Sequence, residues 1–333
     1  MHDLPAGHTA RPVSPETDVR TVFEVSTAAA GGEYGVPDVS EDMIARAWQL
    51  PTLDLQRDSW LVFDASGRAV GFAVFLDNEA AHVSPRVLFR VDPDLAGGPV
   101  IDAILAWASA RARENLPLAV RDARVALTTG VASVNESVIA ALERGGWTRD
   151  RVNWTMEIDL AAAAVPAPHW PDGITLRTAD LEVDAPAIHA AEADAFSDHY
   201  GFLPQPYDRW LHFRTRLMRP EPDLWFLAMD GDEIAGMALC ASERPGESEV
   251  GWVSSLGVRR PWRQRGLGLA ILRHAFREIA ARGRTRAGLG VDSQSLTGAT
   301  RLYERAGMRV VRQHFDYELV LREGRDLRTT QLA

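Results

Sequence analysis

Arg263, Gly266 and Gly268 belong to the run Leu256-Gly257-Val258-Arg259-Arg260-Pro261-Trp262-Arg263-Gln264-Arg265-Gly266-Leu267-Gly268-Leu269, which leads from an apolar stretch into an amphipathic segment. Glycine lacks a Cβ, so backbone N–H groups at these positions can close on an anion. The first N–H groups of the following helix point at the same place and carry the positive end of its dipole. Arg263 and Arg265 add charge, and the chemistry that this arrangement suits is binding of a diphosphate. A Walker loop is excluded because no Lys follows either glycine. A dinucleotide fingerprint is disfavoured because Ile271 stands where its third Gly or Ala is required and residues 285 to 291 hold no acidic ribose ligand.

A second cluster follows at Leu302-Tyr303-Glu304-Arg305-Ala306-Gly307-Met308. The pattern of Arg263, Gly266 and Gly268, followed by a Leu-Tyr helix that ends at Gly307, resembles the two signatures of the GNAT superfamily of N-acetyltransferases. The resemblance implies acetyl-CoA as co-substrate. It implies that the strand of Leu256, Gly257 and Val258 runs beside the pantetheine, and that Arg263, Gln264, Arg265, Gly266, Leu267, Gly268 and Leu269 form the diphosphate loop. Tyr303 would then protonate the departing thiolate, a role within reach of a phenol. Glu249, at the start of the strand 249–258 that leads to the loop, is the first candidate for the base that frees the acceptor amine, although the same residue reads equally as the solvated end of a loop. Asp292 and His199 are further candidates, each with a plain reading as a turn carboxylate and a surface imidazole. Ser295 and Leu296 stand where the superfamily often carries Asn, so Ser295 is the expected contact to the CoA arm.

These residues must be held by a substantial fold. The chain has 333 residues, enough for two cores, and no apolar run near the length of a membrane span. Its formal net charge of −10 argues against nucleic acid or an acidic membrane surface as partner, because both demand a positive field. The N-terminal residues show neither a basic cluster nor an apolar signal core, which makes the cytoplasm the expected compartment. The single cysteine, Cys240, excludes an internal disulfide and lies in an apolar stretch that suits a strand. No histidine spacing indicates a metal site, and none is expected.

Landmarks recur along the chain. Gly146 and Gly307, like Glu157 and Glu318, are 161 residues apart. The stretch Leu61-Val62-Phe63-Asp64 is answered by Leu227-Ala228-Met229-Asp230. The fold class expected is α/β (α+β): two tandem GNAT-like domains, each a mixed twisted sheet flanked by helices. They would occupy residues 1–160 and 172–333, joined by an Ala/Pro-rich linker at 161–171, with the strand at 310–321 closing the second sheet. At the place of the diphosphate loop the first copy reads Val91-Asp92-Pro93-Asp94-Leu95-Ala96-Gly97-Gly98-Pro99, with two carboxylates and a proline, and Leu142 replaces Tyr303. The first domain is therefore expected to be degenerate.

The expected activity is transfer of acetyl from acetyl-CoA to a primary amine of a small molecule in the second domain, by a monomer or a homodimer. Two alternatives stay open: acetylation of a protein N-terminus or an antibiotic, and a non-catalytic acyl-CoA-binding or regulatory role.

Overall fold

The computed structural model describes residues 4–295 and 297–330; Leu296 and the terminal residues of both expected domains lie outside them. In chain order the elements are β1 (Thr9–Arg11), α1 (Val19–Gly31), α2 (Glu41–Ala47), α3 (Leu55–Asp58), β2 (Ser59–Phe63), β3 (Ala69–Leu76), β4 (Arg86–Val91), α4 (Pro99–Glu114), β5 (Val125–Ala132), α5 (Glu136–Arg144) and β6 (Thr148–Asp159). The second half continues with β7 (Ile174–Thr178), α6 (Leu181–Phe196), α7 (Tyr207–His212), β8 (Trp225–Asp230), β9 (Glu233–Ala241), β10 (Val250–Val258), α8 (Leu267–Ala281), β11 (Arg286–Asp292), α9 (Ala299–Arg305) and β12 (Arg309–Arg322). No described helix is long and apolar enough to cross a membrane.

Two compact units result, but their boundaries are not those read from the sequence. One comprises residues up to 152 together with 313–327; the other comprises 153–312 and the residues from 328 onward. In the first, the strand order is β1-β2-β3-β4-β5-β12, and in the second it is β6-β11-β10-β9-β8-β7. The strand expected to close the second sheet instead pairs antiparallel with β5, from His314 opposite Ala132 to Arg322 opposite Val125. Residues 153–159 of β6, assigned by sequence to the first domain, pair antiparallel with β11. The two units thus trade closing strands, and equivalent ion pairs mark the trade. Arg124, before β5, binds Glu318 of β12, and Arg286, in β11, binds Glu157 of β6 at 2.7 Å.

The repeat is otherwise faithful. A bidentate Arg–Asp pair ties the first strand of each unit to its first helix: Arg11 to Asp18 and Arg177 to Asp184 at 2.6 and 2.7 Å. Gly146 and Gly307 both take the left-handed conformation, with φ of 80° and 94°, at the turn into the closing strand.

In the second unit the sheet is covered on both faces, as alternation along β8 requires. Phe226 and Ala228 join a core with Ile271, Leu272 and Phe276 of α8, whereas Leu227 and Met229 face Ile188 of α6 and Trp210 of α7. Glycines permit the close approach. A Cβ on Gly251 would stand 2.3 Å from Ile279 of α8, and one on Gly257 would stand 2.9 Å from Ala195 of α6. Cys240 is buried in the α8-side core, and burial pushes its thiol pKa far up, which leaves it an apolar strand residue.

Candidate active site

β10 and β11 run parallel, and they are paired only where Val250, Gly251 and Trp252 face Arg286, Ala287 and Gly288. Beyond Trp252 the strands part. β10 also breaks register with β9 between Val253 and Ser255, a bulge that bends the strand at this point. The space between the parted strands is a cleft of about 150 Å³, lined by residues 253 to 256 of β10 and 289 to 292 of β11. Phe196, His199 and Tyr200, which follow α6, wall it on one side, and Ser295, Ala299 and Tyr303 wall it on another.

The glycine loop lies where β10 ends. Gly266 takes φ 82° at the N-cap of α8, and Gln264 takes φ 60°, unusual for a residue with a side chain. The first intrahelical bond is Ala270 N–H to the Gly266 carbonyl, and among the described residues the backbone N–H groups of residues 264 to 269 have no hydrogen-bond partner. A row of convergent, unpaired donors is what an anion needs. Nothing stands within 4 Å of a Cβ built on Gly266, so the surface above the loop is open.

The two loop arginines separate in role. Arg263 donates through its guanidinium to Asp198 at 2.6 Å, to the Ala195 carbonyl at 3.0 Å and to the Val258 carbonyl at 3.0 Å. These bonds make it a clasp between loop and α6. Arg260 binds the other side of Asp198. The Asp198 side chain is only 4% exposed, and the Arg260 guanidinium beside it, with Arg263, draws its pKa down to about 2. Arg265 has no carboxylate partner among the described residues and is exposed at the loop tip, the position from which a cation can meet a diphosphate.

Tyr303 faces the cleft from α9, 7% exposed, and its hydroxyl has no hydrogen-bond partner among the described residues. Burial pushes its pKa up to about 12. Ser295 is at the cleft edge, where its hydroxyl pairs with that of Thr297 at 3.1 Å. His199 is half-buried with its ring edge-on to Phe196 at 4.5 Å, and burial, followed by the nearby Arg263 charge, lowers its pKa. Its imidazole is thus neutral at pH 7. Asp292 lines the cleft as well, but one carboxylate oxygen accepts from the Gln294 N–H at 2.8 Å, the turn role foreseen as its plain reading.

Glu249 is not brought to the cleft. It precedes Val253 by four positions, roughly 13 Å along an extended strand, at the end where β10 and β11 are still joined. Its own backbone N–H and the Arg286 guanidinium, 2.6 Å away, hold its carboxyl below the usual range, and it is half exposed. A carboxylate so stabilised is a poor base for the cleft. Two residues that sequence reasoning missed are Asp198 and Glu192. Glu192 accepts from the Ser255 hydroxyl at 2.6 Å and from Trp210 Nε1 at 2.6 Å, and it also pairs with Arg214. Both act through partners far along the chain, so no local spacing announces them.

Comparison with known proteins places this geometry. The model of the acetyltransferase (GNAT) family matches residues 185–308, which contain the loop and the cleft. A mycothiol acetyltransferase of Salinispora arenicola is 35% identical over 182 residues, a match covering 52% of this chain and little more than half, 56%, of that relative. The crystal structure of a GCN5-related N-acetyltransferase from Sphaerobacter thermophilus is 32% identical and superposes with a TM-score of 0.81 over 98% of this chain and 99% of that one. A tandem GNAT protein from the clavulanic acid biosynthesis pathway shares the fold at a TM-score of 0.73 and 16% identity, across 94% of this chain and 98% of that one.

Proposed function

Because the chain belongs to the GCN5-related N-acetyltransferase family and repeats its unit in tandem, we propose that the second unit acetylates a primary amine of a small molecule with acetyl-CoA by direct transfer. The observation that carries this reading is the row of unpaired N–H groups at 264 to 269, ending beside a cleft that Tyr303 enters. The residues fit the co-substrate. The open, left-handed Gly266 admits a diphosphate, Arg265 meets its charge, and Leu256 and Gly257 lie on the edge of β10 that β11 has left, free to align an extended arm. The Val258 carbonyl is already taken by Arg263. Bound there, acetyl-CoA supplies a thioester activated for acyl transfer.

An alkyl ammonium with pKa near 10.4 costs about 4 to 5 kcal/mol to deprotonate at pH 7. His199, neutral and cleft-facing, is the group we assign to take that proton, in place of Glu249. Tyr303 stays protonated across the physiological range and holds its proton for the leaving sulfur. The same burial that weakens the phenol raises the pKa of a thiolate in the same cleft, which keeps donor and acceptor matched.

The first unit is assigned no co-substrate. Asp92 stands in the equivalent loop, paired with Arg68 at 2.6 Å and capping the Asp94 N–H at 3.0 Å. Leu142, fully buried, occupies the Tyr303 position, and Arg90, bidentate to Asp38 at 2.8 Å, fills space near the end of β4. The relatives named for mycothiol favour a small-molecule acceptor. The test is release of free thiol from acetyl-CoA with amino sugars, aminoglycosides, amino-acid amides and peptide N-termini. Turnover with one class identifies the acceptor, and tight CoA binding without turnover by any of them refutes acetyl transfer in favour of a binding role.

A further inference from the structure

After β12 the chain returns to the second unit and lies against the loop that follows α6. The Thr329 carbonyl accepts from the Gly201 N–H at 2.8 Å, and its own N–H donates to the Phe202 carbonyl at 3.2 Å. Its hydroxyl donates to the Ser197 carbonyl at 3.2 Å, and the Arg328 guanidinium lies 5.7 Å from the Tyr200 ring centroid. Three hydrogen bonds from one residue thus span a loop that holds two cleft-lining residues, His199 and Tyr200, and the clasp residue Asp198.

The other ties of the loop lie at its two ends. Asp198 is held by Arg260 and Arg263, and His189 Nε2 lies 2.8 Å from the Gln205 carbonyl, whereas between them the backbone bonds within the loop are turn contacts, His199 N–H to the Phe196 carbonyl and Phe202 N–H to the His199 carbonyl. Gly201 at φ 77° and two prolines, Pro204 and Pro206, interrupt any regular structure. The segment that binds it is firmly anchored: residues 314–322 are laddered to β5, and Arg325 exchanges backbone bonds with Asp122 and Arg124 of the first unit. We infer that residues 328–330 form a strap that positions the His199 side of the cleft, with Thr329 as a positioning residue for the acceptor. This inference rests on the acetyl-transfer reading of the cleft.

The test uses the full-length chain with Thr329→Pro, which removes the N–H and the hydroxyl, and a second variant ending after Leu327. Thr329→Ser, which keeps all three bonds, is the rescue control. Hydrogen exchange at the Gly201 amide is expected to accelerate at least tenfold in the first two variants. With the amine that gives the highest turnover in the screen above, kcat/KM for the amine is expected to fall about tenfold while KM for acetyl-CoA changes less than threefold. The serine variant should match wild type in both measurements. Unchanged exchange at Gly201 overturns the strap, as does accelerated exchange with unchanged kcat/KM for the amine. If wild type acetylates no amine, the acetyl-transfer reading fails by itself, and faster Gly201 exchange still supports the strap.

Discussion

Tyr303→Phe separates chemistry from stability unusually well. The hydroxyl of a 7% exposed side chain has no hydrogen-bond partner among the described residues, so its removal orphans none of them and leaves the ring packing intact. Stability should change by less than about 1 kcal/mol, far from the cost of breaking a buried hydrogen bond on both sides. Activity should respond differently. Loss of a positioned general acid costs about a hundred- to ten-thousandfold in kcat, and at 1.36 kcal/mol per decade this is about 2.7 to 5.4 kcal/mol of barrier. With its pKa pushed up to about 12, only about one Tyr303 in ten thousand is ionised at pH 8, so wild type should show no alkaline loss of kcat below about pH 10. The assay is thiol release from acetyl-CoA across pH 6 to 10, with CoA affinity by calorimetry and Tm by differential scanning. A variant that keeps kcat within threefold of wild type while binding CoA normally would refute the assignment, as would a wild-type alkaline limb near pH 8.

Three further outcomes follow from the same geometry. Gly266→Val forces a branched side chain into φ 82° and misaims the N–H row, so KM for acetyl-CoA should rise at least tenfold; Gly97→Val in the first unit should leave it within twofold, which steady-state kinetics checks. His199→Gln should lower kcat by at least tenfold and abolish the acidic limb of the kcat profile. That limb lies below the ordinary imidazole value because the base must be neutral to act and its pKa is lowered; Glu249→Gln should leave kcat within twofold. Asp198→Asn removes a carboxylate whose folded pKa of about 2 lies below its unfolded value of 3.8. The stability it contributes is complete above pH 3.8 and is lost as pH falls towards 2, so the Tm difference between wild type and variant should be full at pH 6 and shrink towards pH 2. Its KM for acetyl-CoA should rise as Arg263 loses its anchor.

The glycine loop proposed to hold a diphosphate is legible in sequence as a loop opening a helix because it depends on local features: two glycines, a following helix and the absence of side chains. The role of Arg263 was not, since its partner Asp198 lies 65 positions earlier and nothing in Phe196-Ser197-Asp198-His199 marks a clasp. Glu249 was misplaced for a related reason. The strand was found correctly, but where it parts from β11 depends on pairing with residues 286 to 288 and on a bulge near Ser254. The exchanged strands were hidden by the repeat. Trp154-Thr155-Met156-Glu157-Ile158 and Phe315-Asp316-Tyr317-Glu318-Leu319 alternate alike and carry Glu at the same point, so either strand satisfies either sheet.

The exchange of closing strands also governs how this polypeptide must be born. β5 has no β12 to pair with until residues 314–322 have been synthesised, roughly 190 positions later. Closing so long a loop is slow more than it is costly, because its entropy grows only with the logarithm of length. The N-terminal half must therefore leave the ribosome with a bare strand edge and wait for nearly the whole remaining chain, a window in which an unpaired edge invites association with other chains. A gene fragment beginning at residue 172 would inherit the converse defect. It would carry β11 without β6, so neither unit can be recovered as a contiguous piece, and a chaperone that shields nascent edges should raise its soluble yield.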